Sequence, residues 1–309
     1  MTSITSSRRS GFTDGRAWSG GALALALSAC ATVTGPPPAG PPAGSGAGSG
    51  AGGFYAKRVD AVGIPILSSA RVSDEALAAA RNMARGMVAH RPDLAQWLSD
   101  NGWRIAIIAD GEALLDLPEN AHWKKPGPDD PRLTRCERKH YDVRIGRLSA
   151  RQYWDARARA TGGQYMVDEE ADVLGLRHAR NFGETIFVHE FAHQILFAVE
   201  AVDPALYAQV EAAYSAALAE GLWKDEYGST NVQEYWAEGT QFWFNSNRLQ
   251  VFDGRRILDH DDLAAYDPRL YAALGRAYGE SHQLKSDPFY MSRARVPPGP
   301  IPDNTAEQC

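Results

Sequence analysis

Thr185-Ile186-Phe187-Val188-His189-Glu190-Phe191-Ala192-His193-Gln194-Ile195-Leu196-Phe197 is an apolar run broken by two histidines, a glutamate and a glutamine, with no proline and no charge beyond that glutamate. Such a run predicts a buried helix. Within it His189-Glu190-Phe191-Ala192-His193 fits the pattern H-E-x-x-H. Residues four apart share a helix face, so both imidazoles can reach one zinc ion. Glu190 then stands beside a zinc-activated water as general base. A buried helix carries polar groups at a cost unless they are satisfied, so these need a reason to be there. The competing reading is a structural helix with two satisfied core histidines.

Catalytic zinc takes three protein ligands and keeps an open position, so one ligand is missing from the motif. Asn231-Val232-Gln233-Glu234-Tyr235-Trp236-Ala237-Glu238 reads as the start of a second helix with Asn231 as its N-cap. Glu234 and Glu238 lie on one face of a segment crowded with aromatics: Tyr235, Trp236, Phe242, Trp243 and Phe244. Carboxylates on so apolar a helix are seldom buried unless paired or bound to a metal. Two solvated surface glutamates are the alternative, and position alone does not rank Glu234 against Glu238.

Together with the H-E-x-x-H run, Tyr227-Gly228-Ser229-Thr230-Asn231-Val232-Gln233-Glu234-Tyr235-Trp236-Ala237-Glu238 resembles the catalytic domain of the anthrax lethal factor-like gluzincins, which carry H-E-F-G-H and then Y-G-x-T-N-x-x-E-[FY]-F-A-E. The resemblance implies a zincin-like α+β metallopeptidase domain with one zinc per chain. It implies Glu234 as third zinc ligand beside His189 and His193, Tyr227 as the hydroxyl that steadies the oxyanion, and Glu238 as a carboxylate supporting the ligands. Two departures are apolar for apolar: Ala192 stands where the family has glycine, and Trp236 where it has phenylalanine. Weaker similarity extends upstream to Gly162-Gly163 and downstream to Asp267-Pro268. A tyrosine hydroxyl is a sound donor to an oxyanion, and Tyr227 precedes the proposed N-cap, so it reaches the metal from a loop. Asp225 is a competing ligand in a loop without a matching pattern.

The 309-residue chain permits one large domain or two small ones, and its 44% hydrophobic and 23% charged composition is that of a globular protein. A formal net charge of −6 argues against a nucleic-acid partner. Residues 1–30 read as a lipoprotein signal peptide: Arg8, Arg9 and Arg16 precede the short apolar run at 22–27, and Leu27-Ser28-Ala29-Cys30 looks like a bacterial lipobox whose cysteine is lipidated. Residues 31–53 are rich in proline, glycine and alanine and read as a disordered tether. Residues 54–309 are then expected to form the zincin-like catalytic domain that the resemblance implies. The expected setting is an exported lipoprotein held at a membrane through Cys30, in the outer membrane or cell envelope, with Ala31 in place of aspartate after the cysteine favouring the outer membrane in a Gram-negative cell. Cys136 and Cys309 then remain in an oxidising compartment, where parity invites a disulfide; two free thiols are the alternative.

A pass along residues 54–300 predicts a helix capped by Ser73 and running to about residue 90, with Leu77, Ala80, Met83 and Met87 on one side. A strand at 104–109 follows, then an irregular excursion over about 119–150, then a short strand near 162–167 that aligns substrate in zincin-type folds. The active-site helix spans about 184–199. A helix opened by Asp203-Pro204 and closed by Gly221, the glutamate helix from 231 to about 244, and a last helix from Asp267-Pro268 to 278 complete the order. His178 reads as a solvated approach to the active-site helix, while His140, His260 and His282 lack a partner at metal spacing. The eight tryptophans read as core or cleft lining.

Two functions follow from these readings. The first is a lipid-anchored zinc metalloendopeptidase acting on a peptide or protein substrate, with Glu190 as general base. The second is a catalytically inactive zinc-binding or structural lipoprotein that uses the same fold to bind a partner. A protein of the second kind is free to lose Glu190, which this chain retains.

Overall fold

The computed structural model of the chain describes residues 53–131, 133 and 135–301. The expected signal peptide, nearly all of the expected tether, Cys30 and Cys309 lie outside the described residues. Four strands form one sheet in the order β1 (Lys57–Ala61), β2 (Ile64–Ser68), β3 (Arg104–Ile108), β4 (Tyr165–Glu169). The β1/β2 pair is antiparallel, and β2, β3 and β4 run parallel. Alternation on β3 separates two cores. Ile105 and Ile107 belong to the large core shared with the helices, whereas Ala106 and Ile108 pack with Leu114, Leu117, Ala158 and Val167 on the opposite face.

The parallel β2/β3 pair requires a crossover, supplied by α1 (Asp74–Met87) and α2 (Pro92–Asp100). The Ser73 hydroxyl caps α1 by accepting from the Ala76 amide at 3.2 Å. Pro92 opens α2 at a position where its missing N–H costs nothing. The second crossover, from β3 to β4, carries two short 3-10 turns, α3 (Arg135–Lys139), a π-turn at Asp142–Gly146 and α4 (Ala150–Arg157). Within the excursion expected over about 119–150, the regular pieces are short, and the longest helix of the crossover, α4, begins only at its end. The crossover's charges do structural work that composition does not reveal: Lys125 Nζ donates to the carbonyls of Ile145, Gly146 and Leu148 at 3.0, 2.7 and 2.6 Å, and Arg157 pairs with Glu137. Leu133, Ile145 and Tyr153 form a small core of their own there.

After β4 come α5 (Glu170–Val173), α6 (Ile186–Val202), α7 (Pro204–Ala219), α8 (Val232–Trp243), a hairpin of β5 (Gln250–Phe252) and β6 (Arg255–Ile257), α9 (His260–Tyr266) and α10 (Pro268–Tyr278). Thirteen of the 17 residues of α6 are buried, so it is enclosed on most of its circumference rather than lying on the surface with one wet face. It packs on β4, α1 and α2 on one side and on α7 and α8 on the other. The mixed α+β architecture therefore brings the sheet edge and α8 to opposite flanks of the H-E-x-x-H helix. The expected helices stand with small shifts at their ends: α1 stops at Met87, α6 begins at Ile186 and extends to Val202. The strand expected at 162–167 begins at Tyr165 instead, because Gly162 and Gly163 form a turn, with Gly163 at φ +101°.

Candidate metal centre

The first turn of α8 fixes the glutamate. Asn231 caps it, its Oδ1 accepting from the amides of Gln233 and Glu234 at 2.9 and 3.0 Å, so Glu234 sits where a helix N-terminus favours a carboxylate. Across from it, His189 and His193 share one face of α6. Their rings stand 4.9 Å apart at 81°. Glu234 Oε2 lies 3.0 Å from His189 Nε2 and 3.5 Å from His193 Nε2. One ligand atom from each of the three lies within 4.8 Å of the others, and all three residues are at most 2% exposed. Trp236 locks the two helices together at this level, its indole N–H donating to Ala192 O at 3.1 Å. The two departures from the gluzincin pattern thus touch each other.

The residues fit a zinc ion. Two imidazoles and a carboxylate are the donor set of a catalytic site with an open position. Among the described residues, Nδ1 and Nε2 of His193 and Oε1 of Glu234 are buried without a hydrogen bond. Each such group costs about 1–3 kcal/mol, and a cation held between His193 Nε2 and the Glu234 carboxylate would satisfy those two atoms. Without a metal, charge holds the cluster together. Burial opposes a proton on His189, yet the hydrogen-bonded Glu234, with Glu238 and Glu190, raises its pKa to about 10. Burial works against the Glu234 carboxylate, and His193 and His189 nevertheless pull it down to about 2.

A residue that sequence reasoning missed orients His189. Gln241 Oε1 lies 3.0 Å from His189 Nδ1, while Gln241 Nε2 donates to Thr185 O at 3.2 Å. The amide therefore accepts from Nδ1–H and leaves Nε2 to face the ion, the usual arrangement around a ligating histidine. The signal was present: Gln241 lies seven residues after Glu234, on the face that also carries Glu238. Glu238 supports less directly. Its Oε1 is 3.7 Å from His189 Nδ1, and its Oε2 accepts from Asn247 and Gln250 at 2.8 and 3.1 Å.

Tyr227 lies half-buried in a 3-10 turn, its ring 6.3 Å from that of His189. Tyr214 secures this turn by donating to Ser229 O at 2.8 Å, and Gly228 leaves room for Trp223, whose ring would stand 2.8 Å from an added Cβ. Glu190 is fully buried, and Gly162 packs against it. Asp225 is exposed and lies outside the cluster. His178 is exposed and 2.8 Å from Asp110, and His260 stacks on His282 with centroids 3.8 Å apart, away from the ligand set. Cys136 is buried on α3, and its proposed partner Cys309 is outside the described residues.

A second group of acids lies beneath the site. Asp168, at the end of β4, and Asp172, on α5, are buried. Burial, then Glu169 and Glu184, push Asp172 up to about 8; burial, then Asp172, also raises Asp168. A carboxyl whose pKa rises on folding holds its proton in the native state after the unfolded chain has lost it. The folded state then binds more protons, and stability falls as pH rises from the unfolded value near 3.8 to about 8. Asp172→Asn should remove that loss, so its melting temperature should gain on wild type between pH 5 and pH 8. Parallel melting-temperature profiles for the two proteins would contradict this.

No family model and no curated protein matches the chain. Among solved structures it is similar to the PRO-PRO endopeptidase PPEP-2 from Paenibacillus alvei, at 14% identity over 66% of this chain and 91% of that one, with a TM-score of 0.41. A likeness this shallow carries no argument about fold or activity.

Proposed function

We propose that the chain is a zinc-dependent endopeptidase of the lethal factor-like gluzincin type. The observation that carries this reading is the buried convergence of His189, His193 and Glu234 beside Glu190. The two histidines and Glu234 would hold the ion. Zinc, when bound, supplies Lewis acidity, polarising a carbonyl and lowering the pKa of water toward about 7. The protein's own groups do the rest. Glu190 takes a proton from the water whose oxygen forms the new bond to the peptide carbonyl carbon. It returns that proton to the amide nitrogen as the C–N bond breaks, giving an amine and a carboxylic acid whose own proton then passes to the amine or to solvent. Tyr227 donates a hydrogen bond to the carbonyl oxygen as negative charge develops on it. Burial of the three ligands keeps bulk water from competing at the donor atoms.

Incubating the full chain with a diverse peptide library tests the reading. Cleavage should vanish on chelation and return with zinc alone. A zinc-loaded protein that cuts nothing would favour the non-catalytic zinc-binding lipoprotein instead.

The setting proposed is an exported lipoprotein in the outer membrane or cell envelope, held by acyl chains on Cys30, with a Cys136–Cys309 disulfide and no nucleic-acid partner. No helix among the described residues is long and apolar enough to cross a membrane. Cys30→Ser should therefore move the protein from the membrane to the soluble fraction. If the variant sediments with membranes as firmly as wild type, the anchor lies elsewhere. Thiol titration of the unreduced mature protein reports the disulfide: two reactive thiols would exclude it.

A further inference from the structure

We propose that Gln194 is a positioning residue: its amide clamps the Gly162–Gly163 turn against the carboxylate of Glu190 and the ring of His193, making the turn a fixed wall of the metal site. This rests on the zinc-site reading above. Two stripes on α6 carry the argument. His189 and His193 face α8, while Glu190 and Gln194, also four apart, face the edge of the sheet. Gln194 is fully buried, and its Nε2 lies 2.8 Å from Gly163 O, 3.1 Å from Arg104 O and 3.3 Å from Gln164 O. One side chain of the active-site helix thus binds the start of β3 and both ends of the Gly163–Gln164 step. Thr161 and Val167 fasten the other side of the turn by exchanging amide hydrogen bonds of 3.0 and 2.9 Å.

The turn is pressed onto the site with no room to spare. A Cβ at Gly162 would stand 2.9 Å from His193 Cδ2, 3.1 Å from Glu190 Oε2 and 3.3 Å from His193 Cβ. Gly163 adopts φ +101°, a conformation that glycine alone takes readily. Hence the two glycines serve different ends, one space and the other backbone geometry. Gln194 itself is a costly choice for a buried position, since its Oε1 has no hydrogen-bond partner among the described residues. A leucine would fill the same helix face without that cost. What only the amide supplies is the hold on the turn.

A double-mutant cycle on zinc affinity, read by chelator competition with the full chain, tests the clamp without relying on catalysis. Gly162→Ala should weaken zinc binding by about tenfold or more, because a held turn forces the new methyl into His193. In a Gln194→Leu background the released turn can move away, and the same substitution should cost no more than about threefold. A glutamine that merely packs the helix would give equal losses in both backgrounds, and equal losses overturn the proposal. So would a Gly162→Ala protein that binds zinc as wild type does. Thermal melts check each variant; if Gln194→Leu does not fold, Gln194→Asn, which keeps the amide but shortens its reach, carries the same cycle. Coupling in a wild type that cleaves no peptide leaves the clamp standing and removes the peptidase reading. Cleavage with additive losses does the reverse, and a wild type that binds no zinc overturns both.

Discussion

Glu190→Gln should keep the zinc and the fold and lose about 10²–10⁴-fold in turnover, the range assigned to a positioned general base. The substitution is nearly isosteric at a fully buried position, so it removes the ability to take a proton while leaving the volume filled. Glu190 is not among the three converging ligand residues, so metal content should not follow activity down. Tyr227→Phe sets a scale for comparison. Losing one oxyanion donor costs about 3 kcal/mol in comparable sites, and Tyr227 is half-exposed at the rim, where water can replace part of the lost hydrogen bond. Its defect should therefore be the smaller of the two. Zinc analysis and steady-state kinetics on both variants decide the matter. A zinc-replete Glu190→Gln protein with wild-type turnover would reject the base, and with it the reaction as written.

What could be read in advance followed strong local chemistry. Asn231, Ser73 and the aspartate-proline pairs at 203–204 and 267–268 are side chains that cap or open helices by mechanisms acting within a few residues. The helices they begin were correspondingly legible. Both hairpins were missed, for different reasons. Asp253-Gly254 is an ordinary signal for a two-residue turn with positive φ at both positions, +50° and +74°, and could have been recognised. Val62-Gly63 also turns with positive φ, +56° and +87°. A β-branched residue is disfavoured in that region, so nothing in the local sequence announces the β1/β2 turn.

At the site, the residues with a spacing rule were found and the amides were not. Gln241 and Gln194 act through long-range contacts with Thr185, Gly163 and Arg104; the spacing of Gln241 from Glu234 was there to be read, whereas Gln194 carries no motif of its own. Asp168 and Asp172 were hidden for a related reason. Nothing in their local sequence shows that the fold buries them.

Glu234→Ala should abolish stoichiometric zinc binding at concentrations that saturate wild type. Apparent zinc binding free energies of about 10–16 kcal/mol in four-ligand sites give roughly 2.5–4 kcal/mol per ligand, so losing one weakens binding by about 10²–10³-fold. Glu234→Gln should fall almost as far, since it keeps the shape and the Asn231 cap but removes the charge. The geometry leaves no easy substitute. Glu238 approaches His189 from Nδ1, the nitrogen that Gln241 already engages, and is tied by Asn247 and Gln250. Asp225 points into solvent. Zinc content and affinity in both variants provide the measurement, and full zinc occupancy in Glu234→Ala would move the third ligand to one of those two carboxylates. Together with Glu190→Gln the result separates the roles. Loss of turnover with zinc retained marks the base, and loss of turnover with zinc lost marks the ligand.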